Sequence, residues 1–120
     1  MFKIEKTKKI SWPVTINVPQ DGGGTKEQQF TGQFELISQK EYDDFYKDAK
    51  GGEPAGEKDI GLARRVLTGW GDDVLDEDGN PLEFNAENKE KLIEIPYVRN
   101  GIVRSFIWCM HGNKAAEKNS

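Results

Sequence analysis

The chain has 120 residues, 35% hydrophobic and 32% charged, with a formal net charge of −4 and a mean hydropathy of −0.76. That length suits one domain, which buries roughly two-thirds of the surface its unfolded chain exposes, and twelve aromatic residues argue against wholesale disorder. Net acidity disfavours nucleic acid as the main partner, and no apolar run approaches the ~18 residues of a membrane span.

The N-terminus MFKIEKTKKI is basic but has no apolar stretch behind it, so it does not fit a secretory signal. It suits a frayed arm or the start of an edge strand. From Trp12 to Val18 the chain alternates, with Trp12, Val14, Ile16 and Val18 on one side and Thr15 and Asn17 on the other. Pro13 restricts this strand to a sheet edge or a strand start. Pro19 and Asp21-Gly22-Gly23-Gly24 break it. A second alternating run follows, with Phe30, Gly32, Phe34 and Leu36 opposite Thr31, Gln33 and Glu35, so the expectation is a β-hairpin.

Ser38 and Glu41 have capping-box spacing, and Tyr42, Phe45 and Tyr46 give the helix behind them one aromatic stripe. That helix should end before Gly51-Gly52, with Pro54 and Gly56 marking a linker. Glu57 and Asp59 favour a second helix carrying Ile60, Ala63, Val66, Leu67 and Trp70, terminated at Gly69 or Gly71. Asp76 to Pro81 is turn chemistry between Val74-Leu75 and Leu82-Glu83-Phe84, which predicts a tight turn or short hairpin near 74–84. Asn85 suits the N-cap of a third helix using Leu92, with Ile93 or Ile95 following on its apolar side. Pro96 suits the first turn of a last helix reaching about His111. Together these elements predict a small, mostly helical α+β domain over 1–112 with about four helices, and a polar, frayed tail at 113–120.

Acidic residues concentrate in the middle, twelve against five basic ones between Glu41 and Asp78. A solvated face explains this better than a cation site. Asp76 and Asp78 match the third and fifth positions of a calcium loop whose sixth is Gly79. Val74 fails the first position, however, and Asn85 fails the twelfth, so the segment is a turn. Gly22 to Lys26 lacks the spacing of a phosphate loop and is followed by a strand. Cys109 and His111 are the only thiol and imidazole. They point about 200° apart on a helix, and a zinc site needs further ligands. Cys109 therefore suits the core and His111 a helix end, and the lone cysteine is compatible with a reducing cytoplasm. No catalytic residue, metal or cofactor is assigned.

One feature points to binding. On the last helix Val98, Ile102, Val103, Phe106, Ile107, Cys109 and Met110 cover about half the circumference. Trp108 lies outside that arc and shares a stripe with Tyr97 and Arg104, residue types enriched at interface hot spots. These three are the candidate partner-binding residues. The alternative is that the stripe packs against the hairpin of the same domain.

The stretch Phe30 to Phe45, FTGQFELISQKEYDDF, is similar to the strand-then-helix opening of the small tail assembly chaperones of long-tailed phages and prophages. Further similarity runs from Leu67 to Ile102, LTGWGDDVLDEDGNPLEFNAENKEKLIEIPYVRNGI. It comprises a Gly-Trp, an acidic Gly-x-Pro turn ending in Phe, an Glu-Asn helix and a proline-led last helix, followed by Ala115-Ala116-Glu117-Lys118-Asn119. This resemblance implies a non-catalytic protein of the host cytoplasm, absent from the finished virion. It implies binding to the tape measure protein, recruitment of the tail tube protein and self-association. The family supplies no catalytic residues. Two other readings stand beside it: a structural or tail-completion protein retained in the particle, and an acidic metal-binding or enzymatic domain.

Overall fold

A computed structural model describes residues 1–5, 7–47 and 55–113. Two long strands, β1 (Lys8–Pro19) and β2 (Thr25–Leu36), are followed by helices α1 (Gln39–Tyr46) and α2 (Ala55–Val66). A short strand β3 (Leu67–Trp70) and helices α3 (Ala86–Glu94) and α4 (Pro96–Met110) complete the chain. The fold is α+β, as expected. "Mostly helical" overstates it, since 41% of the described residues are helical and 29% lie in strands. The strands are longer than the hydrophobic alternation showed, because residues 8–11, polar except for Ile10, and the polar residues 25–29 also pair. The expected linker at 51–54 and tail at 114–120, with the Ala115–Asn119 match, lie outside the described residues.

The sheet order is β1-β2-β3, with β1 and β2 antiparallel in unbroken register from Lys8↔Leu36 to Pro19↔Thr25. The loop between them turns on Gly22 and Gly23, both at positive φ (94° and 102°), which only glycine adopts without strain. Val14, Ile16, Phe30 and Phe34 point from one face into the core, while Ser11, Asn17, Gln29, Thr31 and Gln33 face away and are exposed. β1 is an edge strand, as Pro13 requires. Pro13 stands opposite Thr31, whose N–H and C=O are bonded away from β1 by Asp73 Oδ2 (2.8 Å) and Gly71 N (3.0 Å). Pro13 is thus at a pair without mutual ladder bonds, so its missing N–H takes nothing from the hairpin.

The expected second helix ends earlier than its periodicity suggested. Leu67 and Trp70 continue the helical spacing of Ala63 and Val66, yet the chain leaves α2 at Val66 and enters β3 directly. The driving feature is the outer edge of β2, which β3 pairs at Gly32↔Trp70, Gln33↔Gly69 and Phe34↔Leu67. Leu67 is fully buried in β3, and an apolar residue at this spacing suits a helix equally, so hydropathy could not separate the two conformations. Gly56, read as part of a linker, belongs to the first turn of α2.

The core joins the hairpin to α2, α3 and α4. Phe34 and Phe106 meet edge to face with centroids 5.4 Å apart, and both are fully buried beside Leu62, Val66, Ile93 and Ile102. Burial of each such side chain contributes about 1.5–3 kcal/mol. Arg65 ties α2 to two elements, with its guanidinium 2.6 Å from Glu41 of α1 and 3.0 Å from Glu35 of β2. Ser38 caps α1 by accepting from Glu41 N (3.1 Å); the Glu41 carboxylate serves Arg65 in place of the return bond of a full capping box.

Helix α4 crosses the edge of β1 through Gly101. A Cβ there would lie 2.5 Å from Thr15 O and 2.5 Å from Ile16 Cδ1. Backbone on one side leaves no room for relaxation, so Gly101→Ala should lower the unfolding free energy by about 1–3 kcal/mol. Gly24→Ala, at a position with nothing within 4 Å, should change it by less than about 1 kcal/mol. Urea denaturation checks both, and equal losses would refute the close-approach account.

Candidate interaction surface on the last helix

Two small residues set the position of α4. Gly101 and Ser105 are both buried, four residues apart on one face. Ser105 Oγ accepts from Thr15 N at 3.1 Å, and an Arg104 Nη donates to Thr15 O at 3.1 Å. Thr15 therefore has both outward backbone groups satisfied by side chains of a helix rather than by another strand. An unpaired buried N–H or C=O costs about 1–3 kcal/mol, so these two contacts make the edge of β1 tolerable inside the fold. The hydrophobic arc read from the sequence did not include Gly101 or Ser105, because neither carries a hydropathic signal. Val98, Ile107 and Met110, at the arc's margins, are only half-buried.

The three predicted partner-binding residues all lie on α4. With 100° per residue, Tyr97, Arg104 and Trp108 fall within about 40° of one another along ~16 Å of helix. They flank the line on which Gly101 meets β1. Tyr97 is 37% exposed and Trp108 is half-buried, and neither belongs to the core cluster or the side chains packed against it. Arg104 has a fold-maintaining duty through Thr15 O that sequence reasoning did not assign, while the residue itself remains exposed. The surface is thus two aromatic groups on either side of an arginine that also holds the sheet edge.

The residues that carry the family resemblance form a second unit. Trp70 Nε1 donates to Leu82 O at 2.7 Å, and its ring meets Phe84 edge to face at 4.7 Å. Between them Leu82 N donates to Val74 O (2.7 Å), and Leu75 pairs with Pro81 as an isolated bridge, so the predicted short hairpin is present. Asp76 Oδ1 accepts from Asp78 N (2.9 Å) and Asn80 N (3.0 Å), which folds the acidic turn around one carboxylate. Asn85 caps α3 by accepting from Asn88 N at 2.8 Å, as its position predicted. Lys89 lies 5.9 Å from the centre of the Phe84 ring and donates to Arg64 O at 2.6 Å; burial holds its ammonium below the usual lysine range.

Cys109, His111 and Tyr46 are engaged in the fold. Cys109 is buried and its thiol is pushed up to about 11 by burial. His111 ends α4 with Nδ1 2.9 Å from Ile107 O. Tyr46 donates to Asp59 Oδ1 at 2.7 Å, and burial followed by that bond raises its hydroxyl far above the ordinary range. Among the described residues no helix is long and apolar enough to cross a membrane. No family model, curated protein or solved structure matches this chain.

Two predictions follow from these placements. The ordinary value for a thiol is 9.0, and the folded value is higher. From about pH 9 to about pH 11 the unfolded chain releases a proton that the folded chain retains, so stability falls as pH rises through that window. Cys109→Ala should flatten this decline in urea titrations; an unchanged slope would mean that the thiol is not sheltered. Because Asp76 is already bonded to two backbone amides, millimolar calcium should leave the melting temperature unchanged. A rise of several degrees would overturn the reading of the turn.

Proposed function

We propose that this protein is a tail assembly chaperone of a long-tailed phage or prophage. In this role it is a non-catalytic module that binds the tape measure protein, keeps it soluble, and helps to bring tail tube subunits to it. The observation that carries the reading is the aromatic stripe of α4, where Tyr97 and Trp108 stand outside the core on the same side of a continuous helix. Tyrosine and tryptophan combine large contact area with a polar group, a combination suited to an amphipathic helical client. The resemblance supplies the client's identity. Trp70, Phe84 and Asn85, three of its motif positions, lie in one stretch of mutually packed turn and cap, which supports treating those motifs as one unit rather than as scattered matches.

A tape measure helix without its surrounding tube exposes apolar surface that aggregates unless covered. Its chaperone must later leave, so many weak contacts by several self-associating copies suit the task better than one tight interface. On this reading the protein works in the host cytoplasm and is absent from the mature particle.

Co-expression with the tape measure protein of the same genome should give soluble client co-purifying with more than one copy of this protein. Trp108→Ala and Tyr97→Ala should each weaken capture, with an aromatic hot spot worth about 2 kcal/mol or more than tenfold in affinity. Far-UV circular dichroism should not change. Insoluble client with this protein left free would refute the chaperone reading. Recovery from purified particles would then favour a retained tail component.

A further inference from the structure

Among the described residues the outer edge of β2 is open from Thr25 to Gln29, and the chain carries a strand-like segment that suits it. On β1 the outward backbone positions are interrupted: Pro13 and Pro19 have no N–H, and Thr15 is covered by Ser105 and Arg104. On β2, β3 covers Gly32–Phe34, while Gly71 and Asp73 occupy Thr31. Thr25, Glu27 and Gln29 remain. They stand opposite Pro19, Asn17 and Thr15 in the same non-bonded alternation as Thr31, so their N–H and C=O groups point away from β1. Among the described residues nothing is bonded to them on that side.

The segment Met1–Glu5 has the complementary character. It precedes β1, and Phe2 and Ile4 are 89% and 82% exposed. Phe2 and Ile4 alternate with Lys3 and Glu5, the period of a strand. Against its own chain the segment leaves an open groove of about 700 Å³ beside Leu36, Ile37 and Ser38. It cannot lie along its own open edge. Thr25 is eleven residues along β2 from Leu36, the partner of Lys8, or ~36 Å, whereas seven residues span at most ~25 Å.

We propose that residues 1–5 of one copy add as a strand to the Thr25–Gln29 edge of a second copy. Charge favours this occupant. Lys3 meets an edge that carries Glu27 and ends at the acidic loop of Asp72 and Asp73, where Asp73 Oδ2 already accepts from Thr31 N, while the edge's own base, Lys26, lies on the opposite face. With Phe2 and Ile4 turned to the face of Phe30, Lys3 lies on the face of Glu27. Each copy donates at one end and accepts at another, so the contact is head to tail and builds rings or open rows rather than a closed two-fold pair. This supplies a geometry for the self-association in the proposed function. Its test contains no client, so its failure and the failure of client binding are separately visible.

Sedimentation velocity from micromolar to several hundred micromolar should show wild-type protein growing beyond a dimer, and less so at high salt. A variant lacking residues 2–5, and Glu27→Pro, should each remain monomeric. Proline at 27 removes only an outward N–H, as Pro13 and Pro19 already do in β1. An equimolar mixture of the two variants should form a one-to-one heterodimer and stop there, because one retains the edge and the other the arm. Monomeric wild type, self-association of either variant, or no heterodimer would overturn the proposal. Should Glu27→Pro lose its circular dichroism signal, mixed Lys3→Cys and Glu27→Cys chains, whose side chains share one face, provide the second test. They should form a disulfide-linked heterodimer under mild oxidation, and its absence would count equally against the arm.

Discussion

The structure depends on how the edge of one strand is covered. Thr15 lies near the centre of β1 with its N–H and C=O turned away from β2, and α4 meets both with Ser105 and Arg104. Gly101 makes this possible by bringing the helix backbone against Thr15 O, where any larger residue would clash. Once α4 is held there, Ile102, Val103 and Phe106 are directed under the hairpin, and Phe106 meets Phe34. The hydrophobic core thus follows from a polar contact that fixes helix against strand. The same seat sets the orientation of Tyr97 and Trp108, which lie on the flank of α4 beside that line of contact.

The two edges of the hairpin are treated differently. On β1, proline and helix α4 deny access to further strands, a usual protection against edge-to-edge pairing. On β2, protection stops at Thr31, and the outer half of the strand carries only polar and charged side chains. Charge there discourages indiscriminate association while leaving the backbone able to pair with a strand of suitable charge. Strength and selectivity are thereby separated: main-chain bonds supply attraction, and Glu27 with the neighbouring acids selects what may approach.

Part of the acidic centre, with Glu35 just before it, is used for construction. Asp73 caps β2, Asp76 folds its own turn, Asp59 receives Tyr46, and Glu41 with Glu35 holds Arg65. These carboxylates are dispersed over separate elements, each with a partner. Asp73 and Asp76, with the Trp70–Phe84 contact, tie the segment from β3 to α3 together beside the sheet. In a domain with this little apolar sequence, specific polar bonds add to burial in fixing the shape.

Local chemistry made the hairpin, the turn at 74–84, the Ser38 and Asn85 caps and the extent of the last helix legible in the sequence, because alternation, turn residues and capping side chains act within a few residues. The stripe of Tyr97, Arg104 and Trp108 was legible too, since helix geometry alone aligns it. What depended on distant neighbours was not. Leu67 to Trp70 keeps a helical spacing and becomes a strand only because β2 offers an unpaired edge. Gly101 and Ser105, silent on any hydropathy scale, are central because β1 passes beside them. Arg104 gained a backbone partner 89 residues away. Sequence pattern determines what a segment prefers by itself; tertiary structure decided which backbone groups were left unpaired, and which residues had to be small or polar to meet them.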